Sequence, residues 1–315
     1  MKDFKDKVVV ITGGATGIGK AMADRFGAEG AHVILAARRE DRLREAVADL
    51  TSRGVDARYQ VCDVSASADV DALAAYAWDE FGRVDVLVNN AGRPGVPARV
   101  VESSPEAFEE VFRVNVFGQL NGIWAFGTRM VEQGTPAMIL NVNSEVGLYI
   151  PSPMVGTYAA SKYAGRAISE TLRLELPEHV HVGVIYPGLV QSEFGGDTQM
   201  TRAGMPAAEF VDVIWPQIEN GEFHIVSHPW AKDYFGETAQ ELAHAFDRYA
   251  PHFDGDNKYD SKWLPDDRLS RGRRSARRPA QPHDADQPRR GSPGGRPGTQ
   301  PSPRRAIGSM STSSS

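Results

Sequence analysis

A chain of 315 residues, 41% of them hydrophobic, carries enough apolar material for one large α/β domain. Its single cysteine, Cys62, excludes a disulfide framework and a cysteine-built zinc site. The net charge of −6 is uneven: positions 264–315 hold eleven arginines, no lysine and four aspartates, a net of +7, which leaves −13 for the remainder.

Strand and helix patterns alternate from the start. KVVVIT (Lys7–Thr12) is an apolar run closed by glycines, as a buried parallel strand requires. A helix with Ile18, Met22 and Phe26 on one face follows over Gly17–Gly27, then a strand at His32–Ala37. An amphipathic helix covers Arg39–Ser52, with Gly54 just beyond its end. Ala57–Cys62 reads as a third strand, Ala68–Phe81 as a third helix stopped at Gly82, and Val84–Gly92 as a strand running into a turn. Ser104 offers an N-cap with Pro105 at the first helical position, and a long helix is expected to about Glu132. A strand at Ala137–Val142, a helix at Thr157–Leu176 and a strand at Val180–Gly188 come next. A seventh strand is expected near Glu222–Ser227 and a last helix near Thr238–Tyr249. This alternation predicts an α/β fold: a doubly wound parallel sheet of about seven strands with helices on both faces.

No run approaches the ~18–20 apolar residues of a membrane span. The VVVIT after the charged start is too brief for a signal-peptide core, so a soluble, cytoplasmic protein is expected. Beyond about Trp263 the composition turns to Arg, Pro, Gly and Ser. It predicts one folded domain over 1–263 and a disordered tail over 264–315, because that stretch has too little apolar surface to offset ordering entropy. A weak nucleic-acid contact, a solvated appendage and a frame-shifted reading of GC-rich DNA are the alternatives for the tail; nucleic acid is not the expected partner of the folded part.

Two patterns carry chemistry. The turn TGGATGIG (Thr12–Gly19) follows a strand and opens a helix, the context in which free N–H groups and the helix dipole hold a pyrophosphate. Gly13 permits the tight turn, Gly17 a close backbone approach and Gly19 close helix–sheet packing; Thr16 and Ile18 complete the turn and the helix start. Tyr158 and Lys162 stand at i and i+4 and therefore share a helix face. A cation ~4 Å from a phenol at an effective dielectric near 20 offers ~4 kcal/mol, enough to bring a tyrosine from about 10 toward neutrality. The pair is therefore expected to act as a general acid/base.

The spacing T-G-x-x-x-G-x-G, with NNAG at Asn89–Gly92, Asn115 in RVNVFG, Ser144, YAASK at Tyr158–Lys162 and PG at Pro187–Gly188, resembles the short-chain dehydrogenase/reductase family over roughly residues 5–250. The resemblance implies an oxidoreductase that moves a hydride between a nicotinamide and a carbonyl or alcohol carbon. It implies that Ser144 holds the substrate oxygen, that Lys162 also binds the nicotinamide ribose, and that Asn115 maintains a helix distortion and a water beside Lys162. Asn143 is a second possible donor. Asp63 and Val64 are implied at the adenine, Asn90 with Ala91 and Gly92 beside the adenosine ribose, and the main chain of Leu189 and Val190 at the carboxamide. Ser192 stands where a threonine hydroxyl often meets the cofactor.

Ala37 occupies the end of the second strand, where an acid selects NAD(H); Arg38 and Arg39 follow. A guanidinium fork suits a 2′-phosphate, so NADP(H) is expected over NAD(H), and the resemblance makes Arg38 the first contact and Arg39 the second. Val146, Leu148, Tyr149, Ile150, Met154 and Val155, under a lid over 193–215 that carries Phe194, Met200, Met205, Phe210 and Trp215, predict a hydrophobic ketone, aldehyde or secondary alcohol. A non-catalytic dinucleotide-sensing or scaffold protein and an epimerase or dehydratase relative are the competing readings. A homodimer or homotetramer is implied by resemblance.

Overall fold

The computed structural model describes residues 3–196, 198–250 and 252. Seven strands form one sheet: β1 (Val8–Thr12), β2 (His32–Ala37), β3 (Ala57–Val61), β4 (Val86–Asn89), β5 (Ala137–Val142), β6 (Val180–Tyr186) and β7 (His224–Val226). Their order is β3-β2-β1-β4-β5-β6-β7 and every neighbouring pair is parallel. The chain winds outward from β1 to one edge, returns, and winds from β4 to the other. The crevice at the carboxyl ends of β1 and β4 is therefore the topological switch point.

Burial on both faces explains the unbroken apolar strands: β1 and β4 are buried throughout. One helix layer joins α1 (Gly17–Ala28), α2 (Glu40–Ser52) and α8 (Ala207–Asn220) through Met22, Phe26, Leu43, Leu50, Phe210 and Ile214. The other joins α3 (Ser67–Phe81), α5 (Gly118–Gln133) and α6 (Gly156–Glu175) through Leu73, Phe126, Met130 and Leu172. Gly82 and Gly134 end α3 and α5 in the left-handed conformation.

The expected helix over 105–132 is real but interrupted. Ser104 caps α4 (Pro105–Phe112) by accepting from the Ala107 N–H, and a π-helical turn at Arg113–Phe117 then leads into α5. A second difference concerns the expected lid. A short helix α7 (Gln199–Arg202) lies within it, but α8 is part of the core. Phe210 and Trp215 are fully buried and do not cover a substrate; the Trp215 ring lies 4.9 Å from Phe26 and 5.1 Å from Phe4. The apolar stripe Phe210, Val211, Ile214, Trp215, Ile218 has helical period, and it packs on α1 despite Pro216 inside the helix. Trp215→Ala is expected to cost about 3–5 kcal/mol of unfolding free energy, read as a lower urea midpoint at unchanged slope.

The last helix, α9 (Ala231–Tyr249), begins seven residues earlier than expected. Among the described residues no helix is long and apolar enough to cross a membrane. The tail expected over 264–315 lies outside the described residues.

Candidate active site

The glycine turn joins β1 to α1 at the switch point. Gly13 and Gly17 take φ of 63° and 55°, backbone that favours glycine. A Cβ on Gly19 would fall on the Gly13 carbonyl oxygen, so helix and turn are as close as main chain allows. Thr16 precedes α1 without a side-chain cap, and the first turn holds no acid. The N–H groups there are thus left for an anion.

The turn is tied to the neighbouring strand. Thr12 Oγ1 accepts from the N–H groups of Asn90 (3.0 Å) and Ala91 (3.1 Å), and Asn90 Nδ2 donates to the carbonyls of Thr12 (2.9 Å) and Gly13 (3.1 Å). Asn90 therefore braces the turn. At the end of β3, Asp63 Oδ1 accepts from Ser65 N and Oγ at 2.9 and 2.7 Å. Partial burial works against its charge, but the Ser65 bonds and the Arg38 charge hold the Asp63 carboxyl below the usual range. The Val64 carbonyl accepts from Asn121 Nδ2 at 2.8 Å.

Arg38 is exposed and, among the described residues, makes no hydrogen bond or ion pair with protein. Arg39 is engaged differently from the expectation of a free second contact. It donates to Glu193 at 2.7 Å, and Arg42 meets the same carboxylate at 3.3 Å. Beside this pair a cavity of about 590 Å³ opens among Gln191, Ser192, Glu193, Gly196, Thr201 and Arg202. It belongs to the cofactor end, because Ser192 lies against Gly17, where a Cβ would come within 2.8 Å of the Ser192 Cβ.

The catalytic end is built on α6, the π turn and the loops after β5 and β6. Asn115 sits in the π turn. Its Nδ2 donates to the Arg93 carbonyl (2.9 Å) and Ser161 Oγ (3.0 Å), and its Oδ1 accepts from the Arg93 N–H (2.8 Å). Ser161 in turn donates to the Tyr158 carbonyl at 2.7 Å. Lys162 is buried, and its ammonium donates to the Val142 carbonyl at 3.2 Å. Next to it, a cavity of about 10 Å³ among Thr12, Asn89, Asn115, Gln119 and Val142 has room for about one water.

Ser144 Oγ accepts from the Val146 N–H at 3.2 Å and donates to the Pro187 carbonyl at 3.4 Å, and its nearness works to lower the Tyr158 phenol. Asn143 Nδ2 is committed to the Lys162 carbonyl at 2.9 Å, so it braces α6 while Ser144 faces the tyrosine. Phe194 covers the site, its ring 5.8 Å from that of Tyr158.

The electrostatics differ from the sequence expectation. Lys162 Nζ lies 5.6 Å from the Tyr158 ring centre, and burial, not the ammonium, sets the state of the phenol. Desolvation, with a smaller push from Glu145, holds the Tyr158 phenol up at about 12 although Ser144 works in the other direction. Desolvation also brings Lys162 down to about 8. At neutral pH the tyrosine is therefore a loaded acid and the lysine a cation.

Pro187 and Gly188 close β6. A Cβ on Gly188 would come within 2.8 Å of the His228 ring and 2.9 Å of Glu145 Oε2. Leu189 and Gln191 bond to Met205, which directs the N–H and C=O of Val190 away from that pairing.

Comparison with known proteins decides the family. The short chain dehydrogenase model matches residues 7–203. The chain belongs to the short-chain dehydrogenase family. It is 36% identical over 202 residues to "Probable oxidoreductase EphD" of Mycobacterium tuberculosis, covering 64% of this chain but only 34% of that protein. The match thus spans about a third of EphD's length. It is 31% identical over 241 residues to 1-deoxy-11-beta-hydroxypentalenate dehydrogenase of Streptomyces exfoliatus, covering 73% of this chain and 86% of that protein. Among solved structures it resembles a short chain dehydrogenase/reductase from Burkholderia phymatum in complex with NAD, with a TM-score of 0.74 and 29% identity over 80% of this chain and 100% of that one.

Short-chain dehydrogenases act with NAD(P), and the cleft described here fits such a dinucleotide: an uncapped helix start, main chain that a Cβ would obstruct, and a buried cation beside the acid. Two neighbours were not among the expected site residues. Glu145, half-buried beside Ser144, has its carboxyl raised by desolvation despite the opposing influence of Tyr149 and Trp230, and its buried Oε2 has no hydrogen-bond partner among the described residues. His228 is buried and accepts from the Gly188 N–H at 3.2 Å. Glu145 directly follows the expected serine and could be found from that position. His228 comes close only through the β6–β7 pairing and has no sequence signal.

Proposed function

We propose that this chain is an NADP(H)-dependent oxidoreductase acting on a hydrophobic ketone, aldehyde or secondary alcohol, with Tyr158 as general acid/base. The observation that carries this reading is the convergence of Ser144, Tyr158 and the buried Lys162 at the end of β5, within one crevice with the glycine turn.

A bound nicotinamide dinucleotide would supply or accept the hydride. The chain's own residues do the rest. The start of α1 around Gly13, Thr16, Gly17, Ile18 and Gly19 holds the pyrophosphate. Asp63 and Val64 border the adenine; Asn90, Ala91 and Gly92 border the adenosine ribose. Pro187, Gly188, Val190 and Ser192 border the nicotinamide end.

Ser144 donates to the substrate oxygen and holds it against Tyr158. In reduction the Tyr158 hydroxyl gives its proton to that oxygen as the C=O becomes C–OH; in oxidation the phenolate takes it back. The phenol sits at about 12 before substrate arrives, so reduction starts from the correct protonation state. Lys162 stabilises the phenolate that forms, and the single-water cavity beside Asn115 offers a route for a replacement proton.

What supports Arg38 as the 2′-phosphate contact is that it is exposed, unpaired among the described residues and close enough to Asp63 for its charge to lower that carboxyl. Arg39 reaches a phosphate only by leaving Glu193. Arg38→Ala is expected to raise KM for NADPH about 10-fold and leave KM for NADH within about 2-fold, measured by the loss of reduced-cofactor absorbance. An equal change with both cofactors removes the assignment.

Phe194, Leu189, Ile150 and Met154 leave exposed apolar surface near the catalytic loops, which supports a hydrophobic substrate. Assembly as a homodimer or homotetramer belongs to the same reading. A panel of ketones and aldehydes with NADPH, using Tyr158→Phe as the control, tests it. Turnover that survives in the variant argues for a different acid.

A further inference from the structure

Glu193 reaches its arginine partners from the far side of the central crevice. Arg39 and Arg42 lie just after β2, whereas Glu193 lies after β6, and β1, β4 and β5 stand between those two strands. At about 4.8 Å per strand the gap is about 19 Å. The segment Ser192–Glu193–Phe194 therefore passes over the carboxyl ends of the three central strands, the place a dinucleotide takes in a doubly wound sheet.

Each residue of this segment rests on a different part of the crevice. A Cβ on Gly17 would come within 2.8 Å of Ser192 Cβ, so Ser192 is in contact with the glycine turn. A Cβ on Gly92 would lie 3.6 Å from Phe194 Cε2 and 3.9 Å from Lys162 Nζ, and the Phe194 ring is 5.8 Å from that of Tyr158. Glu193 Oε2 meets Arg39 at 2.7 Å and Oε1 meets Arg42 at 3.3 Å, one oxygen to each guanidinium. The chain then turns back at Gly195 and Gly196, with φ of 81° and 84°, and the Gly196 N–H donates to the Glu193 carbonyl at 3.1 Å. Beneath the segment Ser144 and Lys162 are buried, and the cavity beside Lys162 holds about 10 Å³, far below the roughly 300–1,000 Å³ of a ligand pocket. A pyrophosphate between Gly17 and Ser192, or a ribose between Gly92 and Lys162, would each collide with the segment.

We infer that Ser192–Glu193–Phe194 is a strap that shuts the dinucleotide crevice, latched by Glu193 on Arg39 and Arg42, and that a nicotinamide cofactor enters only when this carboxylate is released. The inference rests on the dinucleotide reading of the crevice, not on the preference for NADP(H). Both ion pairs are exposed, so the latch opens readily, yet one carboxylate shared by two guanidiniums keeps the open form in the minority. The apparent affinity for either cofactor is then that of the open form scaled by its population. Release of Glu193 also frees Arg39, the second contact expected for a 2′-phosphate.

Titration of the full chain with NADPH and with NADH, followed by cofactor fluorescence and by stopped flow, tests this. Glu193→Gln keeps the side chain's size and removes its charge. It is expected to tighten both cofactors about 5-fold, through faster association at an unchanged dissociation rate. Arg42→Gln leaves Arg39 in place and is expected to tighten both about 2-fold. At about 1 M salt, where the Debye length is about 3 Å, wild type and Glu193→Gln should converge, because the latch is ionic and the Phe194 packing is not. Equal affinities of wild type and Glu193→Gln at low salt overturn the latch and leave the dinucleotide reading standing. Weaker binding by the variant also overturns it and makes the ion pair a clamp over bound cofactor. Failure of both cofactors to bind either form overturns the dinucleotide reading and the latch with it.

Discussion

Tyr158→Phe is expected to lower turnover about 10³-fold, equivalent to about 4 kcal/mol in the barrier, while cofactor affinity and melting temperature stay at wild-type values. The substitution removes one hydroxyl and keeps the ring that packs near Phe194. The pH dependence separates this role from a structural one. Lys162, brought down to about 8 by burial, loses its charge as pH rises through that value, whereas the Tyr158 phenol at about 12 keeps its proton. Carbonyl reduction should therefore decline above pH ~8, and Lys162→Met should abolish that limb and lower the plateau. A wild-type profile flat to pH 10 contradicts the assignment of Lys162. A basic group whose folded pKa is depressed leaves the native state with fewer protons than the unfolded chain between the two values. Lys162 thus makes stability rise with pH between about 8 and the usual lysine value near 10.5.

Gly19→Val is expected to weaken dinucleotide binding more than ~100-fold and to lower the melting temperature. A Cβ at this position meets the Gly13 carbonyl and Asn90 Nδ2, not the mobile end of a long side chain. The start of α1 must then move off the turn, and the N–H groups directed at the pyrophosphate move with it. Isothermal titration with NADP(H) and a thermal scan read the two effects. A variant that binds and melts like wild type would show that turn and helix are not packed as described.

How much of this was legible in the residues depends on the range of the determining interaction. Strands β2 and β5 lie at their expected bounds, because burial on both faces writes itself as an unbroken apolar run. The Ser104 cap and the Gly82 stop are local and were equally visible. Helix α8 was read as part of a lid over 193–215 although its periodicity was present, because the methionines and aromatics there, Phe210 and Trp215 among them, suggested an apolar cover over the substrate. Helix α9 starts seven residues before the expected Thr238 and runs through Gly236. The candidate residues carried by motif spacing, Asn115, Ser144, Tyr158 and Lys162, lie in one crevice. The protonation of Tyr158 was not legible, because spacing along a helix sets a distance but not the water that burial removes. The chain Asn89–Asn141–Ser169, with bonds of 2.9 and 3.0 Å beneath α6, was also invisible, since it depends on which rung of β4 faces which rung of β5.

The bracing of the glycine turn by Asn90 and Thr12 reaches past local geometry. Two central strands share the same four bonds, so the anion cradle is as rigid as the middle of the sheet. An incoming nucleotide finds its phosphate seat preorganised, and the ordering cost of association falls on the ligand and on the loop bearing Ser192 and Glu193. Affinity in this protein is therefore adjustable through that loop without loosening the seat itself.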